Sequence, residues 1–155
     1  MTEITFPEFP LTGGCQCGAV RYELRSTPIV FYLCHCTECQ KQSSSAFGES
    51  VRVRPEDITV EGERRFWERE GTKGRMRCEF CATCGTRLFH IRPGSFNIKG
   101  GTFDDRSWMK PAGHIWTGSK QPFFAIGADE IAYERQPPDY DVLTARWNEM
   151  IGTAG

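Results

Sequence analysis

Short runs in which apolar and polar residues alternate recur along this chain, the signature of half-buried strands. Val20-Arg21-Tyr22-Glu23-Leu24 alternates cleanly, and Phe47, Glu49, Val51 and Val53 continue the pattern with Arg52 and Arg54 facing the other way. Ile29 to Leu33 is a continuous apolar run and reads as a buried strand. Further strands are predicted around Ile58 and Val60, Arg75 to Phe80, Leu88 to Ile91, Phe96 to Ile98, His114 to Trp116 and Ile131 to Tyr133. Glu63 to Glu70 is charged around Phe66 and Trp67, and Gly71-Thr72-Lys73-Gly74 reads as a loop. Turn residues at short intervals argue for a sandwich or curled sheets rather than βαβ units.

Helix is scarce. Thr37 to Ser43 can form one polar turn inside a cysteine cluster. After Pro137-Pro138, the residues Leu143, Trp147, Met150 and Ile151 fall on one helical face, with Asp139 or Asp141 as N-cap. That predicts a closing amphipathic helix over about residues 139–151, packed on the sheet. At 155 residues the chain has the length of one domain.

Charge and hydropathy narrow the function classes. Nineteen basic against twenty acidic side chains leave a formal charge of −1, so no net field favours nucleic acid or an anionic membrane. The Ile29–Leu33 run is far short of the roughly 20 residues that span a bilayer. The N-terminal stretch, with Glu3, Pro7 and Pro10, lacks the basic and apolar regions of a secretory signal. A cytoplasmic location is expected.

Eight cysteines change the picture. Seven fall in tight groups: Cys15-Gln16-Cys17, then Cys34-His35-Cys36-Thr37-Glu38-Cys39, then Cys81-Ala82-Thr83-Cys84. In a reducing compartment such groups bind metal more often than they form disulfides. Two cysteines in one turn can both reach a tetrahedral zinc, and Gly18 and Gly85 stand where the chain must bend around it. Two groups of two complete a four-thiolate site, and the remaining three thiols leave a second site with one position open. A closed four-ligand zinc is structural, whereas a three-ligand zinc can accept a substrate atom. Cysteine count alone does not decide which groups combine.

The segments Gly13-Gly14-Cys15-Gln16-Cys17-Gly18-Ala19-Val20-Arg21-Tyr22, Cys34-His35-Cys36 with Cys39, and Phe80-Cys81-Ala82-Thr83-Cys84-Gly85-Thr86 resemble the glutathione-dependent formaldehyde-activating enzyme family, which also includes the domain of centromere protein V. His114-Ile115-Trp116 is similar to a downstream segment of these proteins, and the resemblance implies a single domain with its core over about 11–135. The resemblance implies a zinc-bound β-tent of curled antiparallel sheets with a short C-terminal helix. It implies two zinc ions per chain, a structural one on Cys15, Cys17, Cys81 and Cys84 and a catalytic one on Cys34, Cys36 and Cys39. It implies glutathione as the thiol and formaldehyde as the aldehyde, with carbon–sulfur lyase chemistry of the S-(hydroxymethyl)glutathione synthase kind.

A three-thiolate zinc is electron-rich, so a soft substrate thiol suits its open position. His35, with Glu38 and Lys41 one step beyond, is a candidate for proton transfer, although a residue between two ligands tends to face away from the metal and a structural role is preferred for His35. Lys41 is a candidate partner for a glutathione carboxylate, although a solvated surface lysine is the commoner case. Cys78 is either a fourth ligand to the second zinc or a small buried hydrophobe beside Phe80; the second reading is preferred. His90 and His114 read as core histidines, Trp108, Trp116, Phe123 and Phe124 as core before pocket, and Arg64, Arg65, Arg75 and Arg77 as mixed surface. The competing function is a non-catalytic binding module in which both zincs are structural.

Overall fold

The structure is a computed structural model and describes residues 2–153. Among the described residues, eleven strands form two sheets, neither closed into a barrel, accompanied by two α-helices. The mostly-β expectation holds. The chain divides into two compact units, one from residues 2–5, Val30–Ser50 and 109–153, the other from Phe6–Ile29 and Val51–Trp108.

In the second of these units, β1 (Leu11–Gly14), β2 (Arg21–Leu24) and β5 (Ile58–Glu61) make an antiparallel three-stranded sheet in the order β1-β2-β5. Alternation in β2 does what the sequence predicts: Tyr22 and Leu24 are buried while Arg21 and Glu23 face water. The Tyr22 ring packs edge-on against Phe89 and Phe103, with centroids 5.7 and 5.5 Å away. An antiparallel meander follows, of β6 (Arg64–Gly71), β7 (Gly74–Cys81), β8 (Arg87–Arg92) and β9 (Ser95–Lys99). Gly71 pairs with Gly74, so Thr72 and Lys73 alone form the hairpin loop.

The strand β6 escaped the sequence reading because it alternates nothing: charges stand on both of its faces. Cross-strand partners explain its stability. Arg64 pairs with Glu79 at 2.9 Å, Arg75 with Glu68 at 3.1 Å, and the Arg77 guanidinium lies 3.4 Å above the Phe66 ring. The arginines therefore serve a mixed surface, as expected.

In the other unit, β3 (Val30–Cys34) is buried along its whole length, matching its unbroken apolar run. It pairs with β10 (Gly113–Ile115), which pairs with β11 (Ile131–Ala132), and both pairings are parallel. Parallel pairing is the exception to the expected antiparallel sheets. Period-two alternation is blind to strand direction, which here follows from the long stretch of chain separating β3 from β10. The strand β4 (Gly48–Val53) runs across the sequence boundary between the units.

The closing helix α2 (Asp141–Ile151) buries Leu143, Trp147 and Met150, and Trp147 meets Phe31 edge-on at 6.4 Å. Its N-cap position is Tyr140 rather than either aspartate, while Asp139 Oδ1 accepts from the Asp141 N–H at 2.9 Å. The helix α1 (Thr37–Ser43) is the predicted polar turn. Among the described residues no helix is long and apolar enough to cross a membrane.

Candidate metal centres

Four thiols converge in the unit of the three-stranded sheet. Cys15 and Cys17 occupy the turn between β1 and β2, where Gly18 takes φ +83° and its N–H returns to the Cys15 carbonyl at 3.2 Å. Cys81 ends β7 and Cys84 lies in the following turn, where Gly85 takes φ +78° and donates to the Cys81 carbonyl at 3.0 Å. Gln16 N–H donates to Thr86 Oγ1 at 3.1 Å and ties the two turns together.

All four sulfurs lie within 4.8 Å of one another, with Cys15–Cys17 at 3.6 Å and Cys17–Cys81 at 3.8 Å. A tetrahedral zinc with Zn–S near 2.3 Å requires S–S separations of about 3.8 Å. A disulfide would need about 2.05 Å. The donor set fits a structural zinc.

Backbone N–H groups are already aimed at these sulfurs, as thiolates require. Val20 N–H meets Cys15 Sγ at 3.1 Å, and the Thr83 and Cys84 N–H groups meet Cys81 Sγ at 3.4 Å each. The Thr86 hydroxyl and backbone N–H hold Cys84 down to about 5. Cys17 is pushed up to about 11: the Ala19 N–H favours its thiolate, but desolvation and the sulfurs of Cys15, Cys84 and Cys81 outweigh it.

Three thiols converge in the other unit. Cys34 is the last residue of β3, Cys36 is the N-cap residue of α1, and Cys39 sits buried in the first turn of that helix. Cys36 Sγ accepts from the Cys39 N–H at 3.2 Å, so the cap itself orients one sulfur toward another. The three sulfurs lie within 4.8 Å of one another. The neighbouring sulfurs of Cys36 and Cys39, with burial, push Cys34 far up. Among the described residues no further cysteine, histidine or carboxylate completes this group. Zinc fits it with one tetrahedral position left over.

Cys78 belongs to neither cluster. It is buried in β7, in register with Trp67 on one side and His90 on the other, and burial raises its thiol. That is the position of a packing residue, the preferred reading.

His35 is fully buried between the ligands Cys34 and Cys36, and it anchors their loop at three points. Its N–H donates to the Ile115 carbonyl at 2.9 Å, and its own carbonyl accepts from Gln40 Nε2 at 2.8 Å and Ser119 Oγ at 2.9 Å. The ring lies near Phe47 and Phe124, with centroids at 5.4 and 5.5 Å. His35 Nε2 is 3.0 Å from His114 Nδ1, and His114 Nε2 is 2.9 Å from Glu130 Oε1.

That chain dictates tautomers. With both rings neutral, the carboxylate can only accept, so His114 carries its proton on Nε2 and offers Nδ1; His35 then donates Nε2–H and keeps a bare Nδ1. No protein group among the described residues partners that buried Nδ1. Burial, then the proximity of His114 and Lys120, lowers His35 to about 4, so its ring is neutral at pH 7. The hydrogen bond from His114, with the Gly127 N–H, holds the Glu130 carboxyl below its ordinary range.

His114 thus leaves the role of plain core residue and joins the second centre through His35. Glu130 carries no sequence signal, since it stands far along a loop in no recognisable pattern. An open groove of about 600 Å³ on the outside of α1 is lined by Gln40, Lys41, Gln121 and Phe123 among others. Trp108 is core, packed on Phe6 and Phe103, which share its unit.

The sequence model of the glutathione-dependent formaldehyde-activating enzyme family matches residues 10–119. The chain belongs to this family. The matched stretch contains all seven clustered cysteines, His35 and His114, and ends before Glu130. Among solved structures, a crystal structure of a Rhodobacter sphaeroides protein is similar at 19% identity and TM-score 0.50, covering 79% of this chain and 99% of that one. That likeness concerns the fold alone.

Proposed function

We propose that this family member is a zinc-dependent carbon–sulfur lyase acting on the glutathione adduct of formaldehyde or a related small aldehyde. The observation that carries the reading is the three-thiol cluster with no fourth protein ligand among the described residues, in a chain of this family. Cys34, Cys36 and Cys39 would hold a zinc, which would favour the thiolate form of a substrate thiol at neutral pH. Cys15, Cys17, Cys81 and Cys84 would hold the other ion, a structural one. The thiol ligands suit a reducing cytoplasm.

In the synthetic direction a carbon–sulfur bond forms between the thiol sulfur and the aldehyde carbon, the carbonyl π bond opens, and the thiol proton ends on the new hydroxyl oxygen. The neutral His35 keeps a lone pair on Nδ1 to take that proton and return it, while His114 and Glu130 hold the ring in the required tautomer. Lys41, which lines the groove beside α1, would pair with a substrate carboxylate there.

Zinc-edge absorption spectroscopy with metal stoichiometry, on wild type and Cys78→Ser, tests the reading. Two zincs are expected, with a light-atom ligand at one replaced by sulfur when glutathione is added. Two all-sulfur zincs indifferent to glutathione, one losing a sulfur in Cys78→Ser, would instead establish a binding module with two structural metals.

A further inference from the structure

The strand β9 inverts the usual rule for a sheet. Its apolar side carries Phe96 and Ile98, yet its polar side, Ser95, Asn97 and Lys99, is equally withdrawn from water, at 6%, 4% and 6% exposure. Cross-strand register places Asn97 beside His90 and His90 beside Cys78, so one face of the β7–β9 meander bears a buried polar row. Asn97 Nδ2 donates to Ser95 Oγ at 3.0 Å, while Asn97 Oδ1 is buried with no donor facing it. Lys99 Nζ is buried with no acceptor and no carboxylate partner among the described residues.

A lone ammonium out of water is among the most expensive arrangements a protein can hold, and it persists where an anion compensates it. Burial raises the Cys78 thiol, and Arg69, Lys99 and Arg87 favour its thiolate against that rise. The surroundings of Cys78 are thus positive and dry, and they include an amide oxygen that requires a donor.

We propose that Lys99 and Asn97 form a binding site for a carboxylate that carries an adjacent N–H, the chemistry of an amino acid or a peptide terminus. The carboxylate meets the Lys99 ammonium and the N–H meets Asn97 Oδ1, which satisfies both orphaned groups at once. A phosphate monoester would satisfy only the lysine. Two sources share the required chemistry: the peptide thiol of the lyase reading and a free amino acid.

Calorimetric titration of the zinc-loaded full chain with glutathione, glutathione diethyl ester, glutamate and inorganic phosphate distinguishes them. Wild type is expected to bind glutathione, glutamate or both, and Lys99→Met to lose at least about tenfold in affinity, with zinc content and circular dichroism unchanged. Esterification should cost wild type a similar factor and Lys99→Met nothing further. Binding of glutathione alone assigns the site to the peptide thiol; binding of glutamate as well assigns it to free amino acids. Asn97→Asp provides a second variant that keeps the shape of the site. Its carboxylate should pair with Lys99, raise the melting temperature and abolish binding. Equal affinity in wild type and both variants, no binding of either amino-carboxylate, or dependence on Lys99 for phosphate alone would overturn the proposal. Only the glutathione arm rests on the lyase reading: a zinc-edge spectrum unmoved by glutathione would end that reading and leave Lys99-dependent glutamate binding intact.

Discussion

The two cysteine clusters are built from the same ligand chemistry but by opposite local means. The four-thiol centre draws its sulfurs from two turns, one between β1 and β2 and the other after β7, with left-handed glycines and N–H groups aimed at sulfur. Its ligand set is complete, and two of its cysteines are exposed. The three-thiol centre takes its sulfurs from a strand end, a helix cap and a helical turn, and the residue between two of them, His35, opens a buried histidine pair that ends on a carboxylate. A closed set can only hold the fold together, whereas an open one beside polarisable groups can do chemistry. Breaking each centre in turn should therefore produce different kinds of failure.

The largest effect is expected at the closed centre. Cys81→Ser should abolish folding, because a structural zinc contributes on the order of 10–16 kcal/mol of apparent binding energy that the unfolded chain lacks. Near-UV circular dichroism and a thermal melt read the result. A folded Cys81→Ser protein with one zinc would erase the distinction between the centres. Cys36→Ser, in contrast, should leave a folded chain with one zinc, and activity with glutathione and formaldehyde should fall by about a thousandfold or more. Unfolding of Cys36→Ser on the same scale as Cys81→Ser would mean that both metals are structural.

The contrast also separates what could be read in the sequence from what could not. Each clustered cysteine announces itself by spacing, because a metal imposes short intervals on its ligands within one turn. Gly18 and Gly85 are equally legible, since a turn around a metal demands a left-handed residue. Glu130 and the pairing of His35 with His114 leave no such trace. They meet through parallel pairing of β3 with β10 and a loop that returns to His114, and neither strand direction nor a loop's path is written in local periodicity. The strand β6 was hidden for another reason: its stability lies in cross-strand ion pairs that a one-dimensional pattern does not display.

The hidden part of the second centre gives the next effect in size. Glu130→Gln removes the acceptor-only group that fixes both histidine tautomers, and His114→Asn removes the link itself. Groups that orient a site through another residue contribute roughly 10–100-fold. The loss should fall mainly on kcat, with KM and zinc content little changed, and the ¹⁵N shifts of His35 should report a changed tautomer in Glu130→Gln. A variant that lost zinc without moving those shifts would reduce the chain to scaffolding.

Cys78 tests the boundary of the second centre more gently. As a buried thiol outside both clusters, its replacement by alanine removes one packed sulfur and should destabilise by about 1–2 kcal/mol. Zinc stoichiometry and activity should be those of wild type. A drop to one zinc would instead make Cys78 the missing ligand.

The smallest expected effect concerns the scaffold of the closed centre. Asp104 pairs with Arg21 on β2 and accepts from Thr12 Oγ1 on β1 at 2.7 Å, so it clamps the two strands whose connecting turn holds Cys15 and Cys17. Arg21 chiefly, helped by Thr12, holds the Asp104 carboxyl below its ordinary range against the opposing effect of burial. A carboxyl whose folded value is depressed stabilises the fold above its unfolded value, and that stabilisation is lost as pH falls through the folded value. Half-exposed pairs of this kind contribute at most about 1 kcal/mol. Asp104→Asn should therefore be slightly less stable than wild type at neutral pH, and the gap should close as pH is lowered through the acidic range. Because zinc release at low pH affects both proteins alike, the difference between their urea midpoints isolates the carboxylate. A gap that stayed constant with pH would assign the effect of Asp104 to shape rather than charge.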